Sequence, residues 1–307
     1  MPLHAQVQAF IEAFETLPAV DFSSISAAEF RAAFNVPVPS RPCDPLAQVE
    51  DRYIEGPDGP LRVRLYVPQG EGPWPVTLYL FGSGFVIGDL SLTDHICRAL
   101  AHRAGTLVVS VDYRLAPEAP FPAAVNDALA ALRWVSVHAA TWGGDPHRLA
   151  VAGDSAGGNL AAVLAQQARD EGIALRHQLL MYPPLDAAGE TASYRELGSG
   201  YGFTAAWMKW YWRQYLSSAV DGDDVRASPL RQTELRGLPS ATIFTAEYDI
   251  LRDEAEAYAH ALEAADVAVE LKRWTGQIHG FLQLSDVFDD ADLALNEAAA
   301  ALRRSFV

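Results

Sequence analysis

Eight short stretches of strand-forming sequence punctuate this chain: QVEDRYIE, LRVRLYV, VTLYLF, TLVVSVDY, RLAVAG, HQLLMYP, ATIFTAE and VAVELKRW. Their spacing constrains the fold more than any other feature. The first two flank the turn GPDG and read as a hairpin. The later ones are short apolar runs separated by helical stretches such as residues 91–103, 122–138, 156–169 and 253–265. Strands buried on both faces lose the in-and-out alternation of a half-exposed sheet, and helices between parallel strands supply the cover. The expected architecture is therefore α/β, with a mostly parallel eight-stranded sheet covered by helices. With 307 residues, half of them hydrophobic, the chain has enough apolar surface for one large domain, and it contains no internal repeat or low-complexity tract.

Two segments fall outside the alternation. Leu3, Val7, Phe10, Ile11, Phe14 and Leu17 recur at helical spacing, which predicts an amphipathic helix over residues 3–17. A second short helix starts at Ser26, where SAAE forms a capping box with Glu29, and Phe30 and Phe34 share its apolar face. The prolines of VPVPSRP, residues 36–42, end it and favour an extended connection. Residues 1–45 thus read as an appended helical cap and 46–307 as the main domain. Residues 185–238, between HQLLMYP and ATIFTAE, are too long for a plain crossover and are assigned in part to the same cap.

A formal charge of −16 and the absence of any basic run longer than a pair argue against a nucleic-acid partner. Cys43 and Cys97 make no disulfide framework and have no metal-site spacing. The N-terminus has no basic start and no continuous apolar core, so neither a signal peptide nor a membrane span is expected. These features predict a soluble, cytoplasmic protein without a metal or cofactor.

The chemistry begins at Gly153-Asp154-Ser155-Ala156-Gly157, which has an apolar run before it and a small-residue helical stretch after it. Gly-x-Ser-x-Gly alone is a weak signal. In a strand-to-helix elbow the glycines permit a tight turn and expose the Ser155 hydroxyl at a helix N-terminus. An ordinary glycine-rich helix start is the competing interpretation. A serine needs a base to take its proton, and a carboxylate to fix the base's tautomer. His279, in TGQIHGF, lies just beyond the last strand, and functional groups of open parallel sheets gather at strand carboxyl ends. His138 and His260 sit within predicted helices, His177 begins a strand and His147 precedes one, while His4, His95 and His102 fit less well still. For the carboxylate, Asp249 in TAEYDILRDE gives the chain order Ser, Asp, His. Asp186, after LLMYPP, is the competitor, and Asp253 suits the first turn of the next helix.

FGSGFVIGDL, VDYRLAPEAPFPAA, GDSAGGNLAA, YDILRDE and IHGF together resemble, in order, the hormone-sensitive-lipase-like family of esterases in its bacterial branch. The resemblance spans the main domain. It implies an α/β-hydrolase fold with a cap built from the N-terminus and the insertion, and carries the roles of nucleophile, acid and base to Ser155, Asp249 and His279. It also implies an oxyanion hole made by the backbone N–H groups of Ser83, Gly84 and Ala156. Two positions depart from the family's His-Gly-Gly-Gly loop, with Phe81 in place of His and Ser83 in place of Gly. Phe81 cannot hydrogen-bond as imidazole does, so packing or backbone contacts must anchor the loop. The Cβ of Ser83 would cost about 1–2 kcal/mol if its position needs a left-handed backbone. An altered acyl or alcohol preference and neutral drift both account for the two changes.

FTAAWMKWYWRQYL, residues 203–216, opens on a plausible Thr204 N-cap and carries aromatic rings around most of a helix. Trp207 and Tyr211, one turn apart, are expected to face the substrate together with Phe81 and Phe85, while most of the other rings suit packing against the N-terminal helices. Asp112, Arg114 and Glu118 read as holding the turn after the fourth strand, and Asp154 and Asn159 as bracing the elbow. The leading interpretation is a carboxylesterase for short- to medium-chain esters that works through a serine acyl-enzyme. The competing one is a noncatalytic small-molecule-binding protein on the same fold. The last strand is expected at a sheet edge, where a homodimer could form.

Overall fold

The structure, a computed structural model, describes residues 2–34 and 43–307; the expected extended connection at 36–42 lies outside them. Helices α1 (Ala5–Phe14) and α2 (Ala27–Phe34) precede the hairpin β1 (Gln48–Gly56) and β2 (Gly59–Val67). Strands and helices then alternate as β3 (Trp74–Leu80), α3 (Asp94–Ala104), β4 (Leu107–Val111), α4 (Ala123–His138), β5 (Gly144–Asp154), α5 (Ala156–Glu171) and β6 (His177–Met181). The insertion holds α6 (Ala192–Glu196) and α7 (Ala205–Tyr215), and the chain closes with β7 (Ser240–Tyr248), α8 (Arg252–Ala264), β8 (Val269–Ile278) and α9 (Asp289–Ser305). All eight expected strands form. Strand β5 reaches back to Gly144, so His147 lies within it rather than before it.

The sheet order is β1-β2-β4-β3-β5-β6-β7-β8. Pairing is antiparallel for β1–β2 and β2–β4 and parallel for the rest. Leu149–Asp154 of β5, in the middle of the sheet, are all buried, because helices cover both faces. This order brings the carboxyl ends of β3, β5, β7 and β8 to one edge, where Leu80 pairs with Gly153 and Tyr248 with Ile278. Strand β8 is an outer strand, as expected. Part of its length is occupied, since Gly276 O accepts the backbone N–H of His4.

The N-terminal helices pack on the insertion. The capping box forms as read: Ser26 N–H and Oγ donate to Glu29 Oε2, and Glu29 N–H donates to Ser26 Oγ. Phe30 lies 4.7 Å from Trp210 and Phe34 5.1 Å from Trp207, centroid to centroid. Trp210 Nε1 donates to Ile25 O, and Thr204 caps α7 by accepting the Trp207 N–H. Arg31 fastens this assembly to the main domain: its guanidinium holds the Glu118 carboxylate at 2.7 Å and donates to the carbonyls of Val86 and Ala116. Arg114 instead grips Asp127, and Asp112 pairs with Arg62. Of the three charged residues expected to hold that turn, Glu118 therefore pairs with Arg31 of α2 instead. Among the described residues no helix is long and apolar enough to cross a membrane.

Candidate active site

Ser155 follows β5 directly and has φ 49° and ψ −123°, a strained conformation for a residue with a Cβ. Neighbouring contacts hold it there, including the Ser155 N–H bond to Met181 O at 2.8 Å. The flanking glycines are required for space rather than for torsion. A Cβ on Gly153 would lie 2.2 Å from Gly157 O, and one on Gly157 would lie 1.9 Å from Leu80 O. Asn159 braces the elbow from α5 by donating to the carbonyls of Pro184 and Ala227, both at 2.8 Å.

Ser155 Oγ lies 2.9 Å from His279 Nε2, and His279 Nδ1 lies 2.7 Å from Asp249 Oδ2. Asp249 is 2% exposed, and its other oxygen accepts the Leu251 N–H at 2.9 Å. The competing carboxylates are engaged elsewhere. Asp186 pairs with Arg231, and Asp253 accepts the Ser193 N–H. Among the remaining histidines, His177 is buried between Ser240 and Thr242, and burial lowers its pKa to about 4. Phe203 stacks on the His279 imidazole with centroids 4.5 Å apart and planes at 25°, and Tyr182 meets it edge-on at 5.0 Å. Sequence reasoning missed both rings. Phe203 precedes the α7 N-cap by one residue, a loop position with no periodicity to mark it.

The glycine-rich loop after β3 turns through Gly84 (φ 61°) and Phe85 (φ 64°). Ser83 keeps an ordinary backbone, so the strain considered for it falls on Phe85 instead. That strain, about 1–2 kcal/mol, is offset by packing: Phe85 stacks on Tyr215 at 3.9 Å, and its carbonyl accepts the Ala116 N–H. Phe81 stacks on Tyr113 at 4.4 Å, and Tyr113 Oη donates to Phe81 O at 2.7 Å. Anchoring thus comes from ring packing and a tyrosine hydroxyl. Among the described residues, the backbone N–H groups of Ser83, Gly84 and Ala156 donate to no protein acceptor.

Beside Ser155 lies a cavity of about 380 Å³. Ser83, Gly84, Trp207, Tyr211 and His279 line it, as do Phe10 and Phe14 of α1. The Tyr211 ring rests directly on Gly84, where any Cβ would meet it at 2.3 Å. The expectation that Phe81 and Phe85 face the substrate is corrected. Both are fully buried and absent from the cavity wall, because their rings serve the loop's own packing. Phe10 and Phe14 take their place in the wall, since α1 lies over the end of β8.

A serine, histidine and aspartate in hydrogen-bonded sequence, at the carboxyl edge of a mostly parallel sheet with this order, define an α/β hydrolase. The family profile described as alpha/beta hydrolase fold matches residues 77–283, and the chain belongs to this family, in its hormone-sensitive-lipase-like branch. It is 44% identical over 262 residues to the carboxylic ester hydrolase LipN of Mycobacterium tuberculosis, covering 83% of this chain and 70% of LipN. It is 40% identical over 262 residues to an ethyl acetate hydrolase of Pseudomonas putida, covering 83% and 82%. The structure of a hyperthermophilic esterase from Pyrobaculum calidifontis superposes with a TM-score of 0.93 at 38% identity, over 99% of both chains.

Proposed function

We propose that this carboxylic ester hydrolase cleaves short- to medium-chain esters with Ser155 as nucleophile, His279 as general base and acid, and Asp249 as the group that orients the imidazole. The observation that carries the reading is the hydrogen-bonded run from Ser155 Oγ through His279 to Asp249 beside an apolar cavity. Ser155 Oγ attacks the ester carbonyl carbon while its proton passes to His279 Nε2, and Asp249 stabilises the imidazolium that results. The carbonyl oxygen becomes negative and takes hydrogen bonds from the N–H groups of Ser83, Gly84 and Ala156. Collapse expels the alcohol, which leaves with the proton from His279. Water then attacks the acyl-enzyme with His279 again as base, releasing the carboxylic acid and restoring Ser155.

A cavity of about 380 Å³ is at the small end of ligand pockets, and aromatic walls favour uncharged acyl groups, which supports the chain-length assignment. We assign residues 1–45 and 185–238 to the cap and the rest of 46–307 to the catalytic domain. We place the protein in the cytoplasm, which suits two cysteines, Cys43 and Cys97, neither of them in a disulfide. A p-nitrophenyl alkylphosphonate tests the reading. One equivalent of p-nitrophenol per chain should be released, with the phosphonyl group on Ser155 by peptide mass spectrometry; no release, or a label elsewhere, would sink it. The outer edge of β8 is the surface we assign to a homodimer. Sedimentation at micromolar concentration should give twice the 33.3 kDa chain mass, and a monomer would dispose of the assignment.

A further inference from the structure

Asp154, the residue before Ser155, is fully buried, and its carboxylate accepts hydrogen bonds from three separate parts of the chain. Oδ1 accepts from Tyr79 Oη at 2.7 Å and from the backbone N–H of Gly82 at 2.8 Å. Oδ2 accepts from Gln283 Nε2 at 2.7 Å. Gly82 leads directly into Ser83 and Gly84. Gln283 stands four residues beyond His279, on the 3₁₀ turn Phe281–Leu284, and borders the cavity. The approach of the loop is close: a Cβ on Gly82 would lie 2.5 Å from Asp154 Oδ2 and 2.9 Å from Ser155 Cβ.

A buried carboxylate is tolerated only where donors satisfy it. Here the donors come from β3, the loop after it and the turn after His279, while the carboxylate itself belongs to the elbow. With Phe81 in the loop, no imidazole is present to fasten it, and the Gly82 N–H bond to Asp154 takes up part of that task. We infer that Asp154 and Gln283 are positioning residues that lock the oxyanion loop and the His279 turn onto the Ser155 elbow. Their contribution is felt where charge develops on the carbonyl oxygen, so it belongs to the transition state rather than to the bound ester. The inference rests on the proposed role of Ser155.

Two variants test it. Gln283→Leu removes one donor, and Asp154→Ala removes the acceptor that Tyr79, Gly82 and Gln283 share. Both are assayed on p-nitrophenyl butyrate, and with a trifluoromethyl ketone whose hemiketal with Ser155 reproduces the oxyanion. Turnover should fall about tenfold for Gln283→Leu and about a hundredfold for Asp154→Ala, with KM within about twofold. The inhibition constant of the ketone should rise by the same factors. The double variant should be no slower than Asp154→Ala alone, because the bond between the two residues is already lost there. A loss carried by KM, an unchanged ketone affinity, or fully additive losses would each overturn the inference. If Asp154→Ala does not fold, the kcat and ketone affinity of Gln283→Leu decide it. A Ser155→Ala chain that still hydrolyses butyrate at the native rate overturns the underlying reading, whereas loss there with a native Gln283→Leu enzyme overturns this inference alone.

Discussion

Replacing Ser155 by alanine is expected to lower kcat on p-nitrophenyl butyrate by on the order of a million-fold, with little change in KM. The hydroxyl sits 2.9 Å from His279 Nε2, and in the proposed mechanism it forms the bond of the acyl-enzyme, a role for which no second group is then at hand. The cavity wall is otherwise untouched, which is why binding should survive. What remains should still exceed the rate in water by about a thousandfold, because the free N–H donors at Ser83, Gly84 and Ala156 continue to polarise the carbonyl. Steady-state rates of the two proteins, checked for equal melting temperature, decide the matter. An alanine variant within tenfold of the native enzyme would mean that another residue performs the attack.

Asp249→Asn is expected to cost about ten-thousandfold in kcat near neutral pH, and the local geometry explains why an almost isosteric change is so damaging. Both carboxylate oxygens face donors: Oδ1 accepts the Leu251 backbone N–H and Oδ2 accepts His279 Nδ1–H. The backbone donor cannot change, so the amide oxygen of asparagine turns to Leu251 and its NH₂ turns to His279. The imidazole then presents a bare Nδ1 to that NH₂ and carries its proton on Nε2, facing the Ser155 hydroxyl it should deprotonate. The control is Asp186→Asn, at the competing carboxylate, which pairs with Arg231 and should leave kcat within about twofold. A strong loss at 186 and a weak one at 249 would reverse the assignment.

The strands were legible because each is a short apolar run bounded by turn residues, and strand ends pointed to Ser155 and His279 with two candidate carboxylates, Asp249 and Asp186. Distance along the chain does not separate Asp249 from Asp186; the His279 contact of the first and the Arg231 partner of the second do that. Helix α9 had a readable signature, with Asp289, Asp290 and Asp292 in its first turn and Arg303 and Arg304 in its last. It follows the last strand and so stands outside the strand–helix alternation that marks the helices between strands. Phe81 and Phe85 misled for a different reason. An aromatic residue in a catalytic loop suggests a pocket wall, but the direction of its ring is set by Tyr113 and Tyr215, which come from distant parts of the chain. Gln283 was invisible for the same reason, since nothing in HGFLQL announces a partner more than a hundred residues upstream.

The stacking of Phe203 on His279 bears on how enzymes of this kind diversify. A lid that only walls off a cavity can be exchanged between relatives, and the exchange alters which esters are accepted while the chemistry carries on below. Under the proposed roles, one face of the imidazole that carries the proton is packed by Phe203, a ring from the segment assigned to the lid. Recombination at the boundaries of residues 185–238 therefore transplants part of the reaction centre together with the selectivity. Grafted lids without an aromatic ring at position 203 would be inherited as slow enzymes, whatever substrates they admit.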